Sequence, residues 1–429
     1  MPAMYDIRDP KYFDESSLYD EMRRVYDVCH LCRMCFSYCP SFPSLFDAID
    51  RHEEAGRGEV EALTTAEMDE VVDLCFQCKL CYVKCPYTPP HKFMLDFPRL
   101  MLRAKATRAK KQGVTFQDKI LGNPDKTARR STGIFANLVN WANRNSIARA
   151  VIEKTVGIHR SRVLPEFATE TFDRWFERNR GSASKGEGQK IVALWETCSI
   201  NYNWPEVGKA AVQVLEKNGK TVIRPAQVCC GMPALDGGDL DLAIENTKKN
   251  IQILAPLVKQ GIPILVLAPT CGYTMKVEWP ELVDSEDAKL VAANTFDIGE
   301  YLAKEKKEGR LSTEFTTPQG KLAYHIPCHL RAQNIGHPFA QVFGSIPETS
   351  VEPVEQCSAF DGTWGMKKEY YHMSRQYAKK LCRPMANANA DRFVSDCMLS
   401  GLNVIEELGK APVHPIEVLR DAYGLEPEK

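Results

Sequence analysis

Two runs of cysteine near the start of the chain have a spacing that binds iron. The first is Cys29-x2-Cys32-x2-Cys35-x3-Cys39-Pro40 and the second is Cys75-x2-Cys78-x2-Cys81-x3-Cys85-Pro86. Three thiolates at this spacing wrap three irons of one cube, and the fourth, fixed beyond a turn by proline, reaches the other cube. On that rule one [4Fe–4S] cluster takes Cys29, Cys32, Cys35 and Cys85, and a second takes Cys75, Cys78, Cys81 and Cys39. Zinc usually takes two CxxC pairs and has no use for the doubled pattern. Arg33 and Lys79 lie inside the motifs; the preferred reading makes both solvated, the alternative has them raise the cluster potentials.

The C-terminal half carries a second, looser cysteine pattern that repeats. Cys198, Cys229-Cys230 and Cys271 form the first copy; Cys328, Cys357-Ser358 and Cys397 form the second. The first two cysteine groups lie 31 residues apart in the first copy and 29 in the second; the next steps are 41 and 39. The first copy offers four thiolates for a third iron–sulfur cluster. The second offers three, with Ser358 where a fourth would sit, which leaves a site with one open iron or no cluster at all. Cys382, on an expected helix, reads as core. His325, His329 and His337 surround Cys328, and structural roles are preferred over ligation for them.

The elements that would position these groups follow from periodicity. Ile191–Trp195, Thr221–Ile223 and Ile262–Ala268 read as strands of the first copy, with helices at Pro205–Asn218 and Leu240–Lys259. In the second copy the strands are Lys321–Ile326, Val351–Val354 and Arg392–Ser395, with a helix at Lys367–Leu381. Each cysteine group follows a strand end. Parallel strands gather their carboxyl ends on one edge, where open α/β sheets bind ligands. In the N-terminal part, Glu67–Leu74 reads as helix, which points to a helical ferredoxin domain rather than a small β-rich one.

The chain of 429 residues divides into a dicluster ferredoxin-like domain (1–110), a helical connector (111–180), a first α/β repeat (189–300) and a second, degenerate one (318–425). The fold class is multidomain. Gly181–Gly188 reads as a linker. Around the junction with the connector, Lys105, Arg108, Lys110 and Lys111 read as a solvated basic face, with a docking role as the alternative. Ile134, Leu138 and Trp141 share one helical face that Ile147 and Val151 extend; the preferred reading packs it on the core, the alternative docks it on a membrane surface or partner.

A net charge of -1 gives no reason to expect nucleic acid. Met1–Pro10 has no secretory character, and the longest apolar run, Ile262–Ala268, is too short to span a bilayer. The expected location is the cytoplasm, with peripheral attachment to the inner face of the membrane as an extension. The 16 cysteines then read as metal ligands and reduced thiols, not disulfides. No G-x-G-x-x-G follows a strand, so no flavin or nicotinamide site is evident.

These features together resemble the heterodisulfide-reductase-related iron–sulfur proteins with repeated CCG cysteine-rich domains. Cys198-Ser-Ile-Asn-Tyr-Asn203, Arg174-Trp175-Phe176 and Gly362-Thr-Trp-Gly365 are similar to the branch that supplies the CCG-domain component of anaerobic glycerol-3-phosphate dehydrogenases. Phe42-Pro-Ser-Leu-Phe46, Pro89-Pro90-His91, Asp96-Phe97-Pro98 and Leu102-Arg-Ala-Lys105 are more similar still to the branch encoded beside rubrerythrin. The resemblance implies an electron-transfer component of an oxidoreductase system. It implies passage of electrons between a flavin dehydrogenase or a rubrerythrin-like, peroxide-reducing partner and a quinone or thiol-disulfide couple. A self-contained disulfide- or peroxide-reducing enzyme is the alternative. The CxxC that closes the disulfide-cleaving site in this family is absent: Thr274 and Ser400 stand where the last cysteines would be.

Overall fold

The structure, a computed structural model, describes residues 5–181 and 190–428. The expected linker lies outside the described residues except for Gly181. The chain forms two compact units: residues 1–122 with 233–242, and residues 123–232 with 243–429.

The first unit is helical, as the sequence implies, and its described residues contain no strand. Glu15–Cys32 starts where the Asp14 carboxylate accepts the amide of Ser17, and it ends where Arg33 turns left-handed at φ 49°. Thr65–Asp73 opens on a capping box, with Thr64 and Glu67 each accepting the other's backbone N–H. These helices and Ser41–Glu54 bury Met22, Val25, Leu45, Phe46, Met68 and Val71, and Phe42 packs on Phe97 with ring centroids 4.7 Å apart. The long helix Phe97–Gln112 carries the basic cluster, with Lys110 and Lys111 exposed as expected and Lys105 and Arg108 half-buried. Lys105 Nζ donates to Asp236 Oδ1 at 2.9 Å, Arg108 pairs with Asp73 and Lys111 with Glu15. The Lys110 ammonium lies over the Phe13 ring. The carboxylates come from distant sequence positions, so a local reading does not reveal them.

In the second unit, β1 (Lys190–Trp195), β2 (Lys220–Ile223), β3 (Ile264–Val266) and β4 (Thr295–Asp297) make a parallel sheet ordered β2-β1-β3-β4. A second sheet, ordered β6-β5-β7, contains β5 (Gly320–His325), β6 (Thr349–Val354) and β7 (Arg392–Ser395). It is parallel too. The order repeats: β5, β6 and β7 stand for β1, β2 and β3, and a single parallel bridge between Val394 and Val413 stands where β4 would lie. One apolar core serves both repeats, running from Trp175, Val192 and Leu194 through Leu265 and Ile298 to Tyr324, Phe339 and Leu419.

The helix Leu240–Lys259 has the expected bounds. The strand expected over Ile262–Ala268 is shorter, because Leu267 and Ala268 lead directly into the turn of helix Pro269–Tyr273. β4 is absent from the sequence reading, since Thr295-Phe296-Asp297 is too short to show a period. The expected helix Lys367–Leu381 begins at Tyr371 and runs on to Asn387.

The connector face is where packing overturns the preferred reading. Ile134 is 90% exposed, Leu138 62% and Trp141 59%, and Phe135, Ile147 and Val151 are exposed beside them. Helix Ala136–Arg144 is held instead by its opposite side, where Ala136 is buried and Asn140 exchanges hydrogen bonds with the backbone of Phe167.

Candidate iron–sulfur sites

In the N-terminal unit the cysteines group across the two motifs. Cys29 lies within electrostatic reach of Cys32, Cys35 and Cys85. Cys81 lies within reach of Cys75, Cys78 and Cys39, with Cys35 of the other group acting on it least. The last cysteine of each motif therefore stands with the first three of the other. Burial pushes the Cys35 thiol up to about 12, and the nearby Cys85 and Cys32 add to this. Cys29 and Cys81 are raised for the same reasons. Four thiols that repel one another as thiolates need a cationic centre to ionise, which is what coordination supplies.

Tetrahedral Zn–S bonds of about 2.3 Å place the sulfurs about 3.8 Å apart. Among the described residues, the group of three or more ligand-type side chains that converges within 4.8 Å is His30, Asp50 and Glu53, with no cysteine in it. That trio already has a cation: Arg33 Nη2 lies 2.9 Å from His30 Nδ1, and Arg33 Nη1 donates to Asp50 Oδ2 at 2.9 Å. Among the described residues, no three of the N-terminal cysteines converge within 4.8 Å. A pocket lined by Cys29, Cys32, Cys35 and Cys85, and walled by Val28, Phe42, Phe46 and Leu95, marks one of the two cysteine groups. Sulfur-directed donors are in place at both: Tyr87 N–H to Cys85 Sγ at 3.4 Å, and Gln77 Nε2 to Cys75 Sγ at 3.3 Å.

The motifs share spacing but not surroundings. Leu31 is 76% exposed and Met34 and Phe36 are exposed with it, whereas Phe76, Gln77 and Leu80 in the second motif are buried. Arg33 pairs with Asp50 on a half-exposed surface, while Lys79 is only 2% exposed. The solvated reading of Lys79 is therefore wrong: the second motif lies beneath Phe97–Gln112, a neighbour its own sequence does not reveal.

In the first repeat, Cys198, Cys229, Cys230 and Cys271 form a chain of sulfur contacts at the strand ends. Cys229 meets Cys198 and Cys230, and Cys230 meets Cys271. Hydrogen bonding from Cys229 and Cys271 holds Cys230 well below the usual thiol range, with the Met232 amide and Thr274 hydroxyl contributing. Cys229 and Cys271 are raised as the donors in these contacts. The Trp195 indole faces Cys271, and Trp279 Nε1 donates to Cys230 O at 2.9 Å. Thr197, just ahead of Cys198, sits at φ 70°, a costly backbone for a β-branched residue.

Sequence reasoning missed Glu196. It is fully buried, burial lifts its carboxyl to about 7, and Arg224 Nε donates to it at 2.8 Å. Its only signal is a charged residue ending an apolar strand.

The second repeat brings Cys328, Cys357 and Cys397 together, with Asp361 also facing Cys328 and Cys357. At the fourth position Ser358 Oγ donates to Ser400 Oγ at 2.9 Å, and Asn403 Nδ2 donates to Ser358 O at 2.7 Å. Cys382 is core, packed with Leu381, Met385 and Val404. The histidines are engaged elsewhere. His325 lies between Ser395 and the Gln356 carbonyl, His329 bonds Thr270 and stacks on Tyr273, and His337 pairs with Glu355.

Comparison with known proteins defines the class. Residues 22–112 match the family described as "Citrate utilization protein B Fer4-like domain", and residues 192–276 and 322–402 each match the CCG "Cysteine-rich domain". The chain thus combines a Fer4-like domain with two CCG cysteine-rich domains. It is homologous to one of the subunits of anaerobic glycerol-3-phosphate dehydrogenase from Escherichia coli K12, with 27% identity over 309 residues, 71% of this chain and 76% of that one. One of the subunits of fumarate reductase (CoM/CoB) from Methanothermobacter marburgensis is 27% identical over 56% of this chain and 46% of its own length. "Lactate utilization protein A" of Geobacillus kaustophilus is 28% identical over 54% of this chain and 98% of its own.

Proposed function

We propose that the chain carries two [4Fe–4S] clusters, on Cys29, Cys32, Cys35 and Cys85 and on Cys39, Cys75, Cys78 and Cys81. We further propose a third iron–sulfur cluster on Cys198, Cys229, Cys230 and Cys271. In this role the protein passes electrons between a dehydrogenase or rubrerythrin-type partner and a quinone or thiol acceptor. The observation that carries this reading is the crossed grouping of the eight N-terminal cysteines. Bound clusters supply one-electron transfer; the chain's own residues hold them, shield them and donate hydrogen bonds to their sulfurs.

The exposed face of Ile134, Phe135, Leu138 and Trp141, with Arg129, Arg130 and Arg144 near it in sequence, supports resting on an anionic membrane surface at the cytoplasmic side. Among the described residues no helix is long and apolar enough to cross a membrane.

The test is an EPR-monitored redox titration of protein purified without oxygen. Two spin-interacting reduced clusters are expected from the N-terminal unit. Rapid oxidation of an organic substrate by the purified chain alone, with a dye acceptor, would contradict the component role. The lowered Cys230 thiol, in contact with Cys229 and Cys271, favours a second reading, in which the first CCG site itself reduces a disulfide or peroxide. Catalytic reoxidation of the dithionite-reduced protein by either compound would select it.

A further inference from the structure

We propose that Gln77 and Lys79 form a buried donor-and-cation pair that raises the reduction potential of the cluster on Cys39, Cys75, Cys78 and Cys81. This inference rests on the cluster reading above.

The chain contains its own control. In register, Leu31 corresponds to Gln77 and Arg33 to Lys79. Residues 33 and 79 both adopt left-handed backbone, at φ 49° and 62°, so the loops turn alike and differ in what they carry. Arg33 turns outward to Asp50, and its charge is neutralised and screened by water. Leu31 offers no donor.

In the second motif both side chains point inward. Lys79 Nζ donates to Gln77 Oε1 at 2.9 Å, and Gln77 Nε2 donates to Pro98 O at 3.2 Å and to Cys75 Sγ at 3.3 Å. Gln77 is fully buried. An ammonium group has no acceptor, so the amide oxygen must face Lys79 and the amide N–H must face the sulfur. Lys79 is therefore a positioning residue for Gln77 as well as a charge. At Cys75, burial pushes the thiol up, while Lys105, the backbone N–H of Gln77 and Lys79 draw it down.

A tetrathiolate cluster gains a negative charge on reduction. Burial disfavours that gain. A cation in a poorly polarisable surrounding and an N–H aimed at a ligand sulfur both favour it. Gln77 and Lys79 oppose the effect of burial at this cluster, and the first motif, open to water, has no equivalent pair.

The experiment uses the full chain with its clusters, measuring iron content and the midpoint of each cluster by EPR titration. Lys79→Met is expected to lower the midpoint of the Cys75 cluster and leave the Cys29 cluster unchanged. Lys79→Arg restores most of the shift, and Arg33→Met leaves the Cys75 cluster where it was. Full iron content with an unshifted Cys75 cluster in Lys79→Met would overturn the inference while leaving the cluster reading intact. A wild-type chain without iron would overturn both. If Lys79→Met fails to assemble the cluster, Gln77→Leu decides: a lowered midpoint for that cluster supports the proposal, and an unchanged one refutes it.

Discussion

The two CCG repeats share strand order, cysteine register and one apolar core, yet they differ at a single chemical position. In the first, Cys230 lies between Cys229 and Cys271 with Thr274 beside it. In the second, Ser358 and Ser400 satisfy each other, and Asn403 holds the Ser358 carbonyl. A hydroxyl pair that is already hydrogen-bonded gains little from facing iron, and its oxygen is a poor substitute for thiolate. On the proposed reading, the second copy keeps the scaffold while a local hydrogen bond occupies the fourth ligand position.

The strongest way to break this comparison is to remove one thiol from each copy. Cys230→Ser is expected to remove about four irons per chain, whereas Cys357→Ser leaves the iron content unchanged. Iron and acid-labile sulfide analysis of both variants checks this; equal losses would erase the distinction. Conversely, Ser358→Cys gives the second copy four thiols and is expected to add iron after anaerobic reconstitution.

Scaffolding makes its own prediction. Arg162 is fully buried against the second repeat, donating to Asn403 Oδ1, Glu406 Oε2 at 3.1 Å and Ser374 Oγ at 3.0 Å, with its guanidinium over Tyr371 and Phe360. Glu406 keeps Arg375, but Arg162→Ala removes the donor to buried Asn403 Oδ1 and opens a void beside Tyr371 and Phe360, so a loss of about 3–5 kcal/mol is expected in denaturant unfolding. The N-terminal EPR signals should be unaffected.

Acid should weaken the same region. His414 is buried, and burial lowers its pKa to about 4 although the Leu267 carbonyl accepts from its Nε2 at 3.0 Å. The unfolded chain takes up this proton near pH 6.5 and the folded chain only near 4. The stabilisation is complete above 6.5 and is lost as pH falls to about 4, a change of about 3 kcal/mol. Urea midpoints across that window should fall, and His414→Gln should flatten the fall.

The smallest effect on stability is expected at the connector. Trp141→Ser removes exposed apolar surface, so the urea midpoint should stay within about 0.5 kcal/mol of wild type. Sedimentation with anionic vesicles should drop; unchanged binding would remove this face from the docking reading.

Much of the architecture is legible because cysteine spacing and strand periodicity are local. The helix Leu240–Lys259 and the strand Arg392–Ser395 have the bounds their patterns imply. What is not legible depends on neighbours. Lys79 reads as a surface lysine until Phe97–Gln112 covers it, and the Ile134–Trp141 stripe reads as core until nothing among the described residues packs on it. Ser358 and Ser400 are visible as departures from the pattern, but their mutual hydrogen bond requires the fold.

The most direct test of the account is the iron and acid-labile sulfide content of the full chain after anaerobic reconstitution. About twelve irons per chain are predicted, eight in the N-terminal unit and four in the first CCG repeat. About eight would leave the first repeat empty, and about sixteen would mean the second repeat holds a cluster despite Ser358; either result would contradict the difference drawn between the repeats.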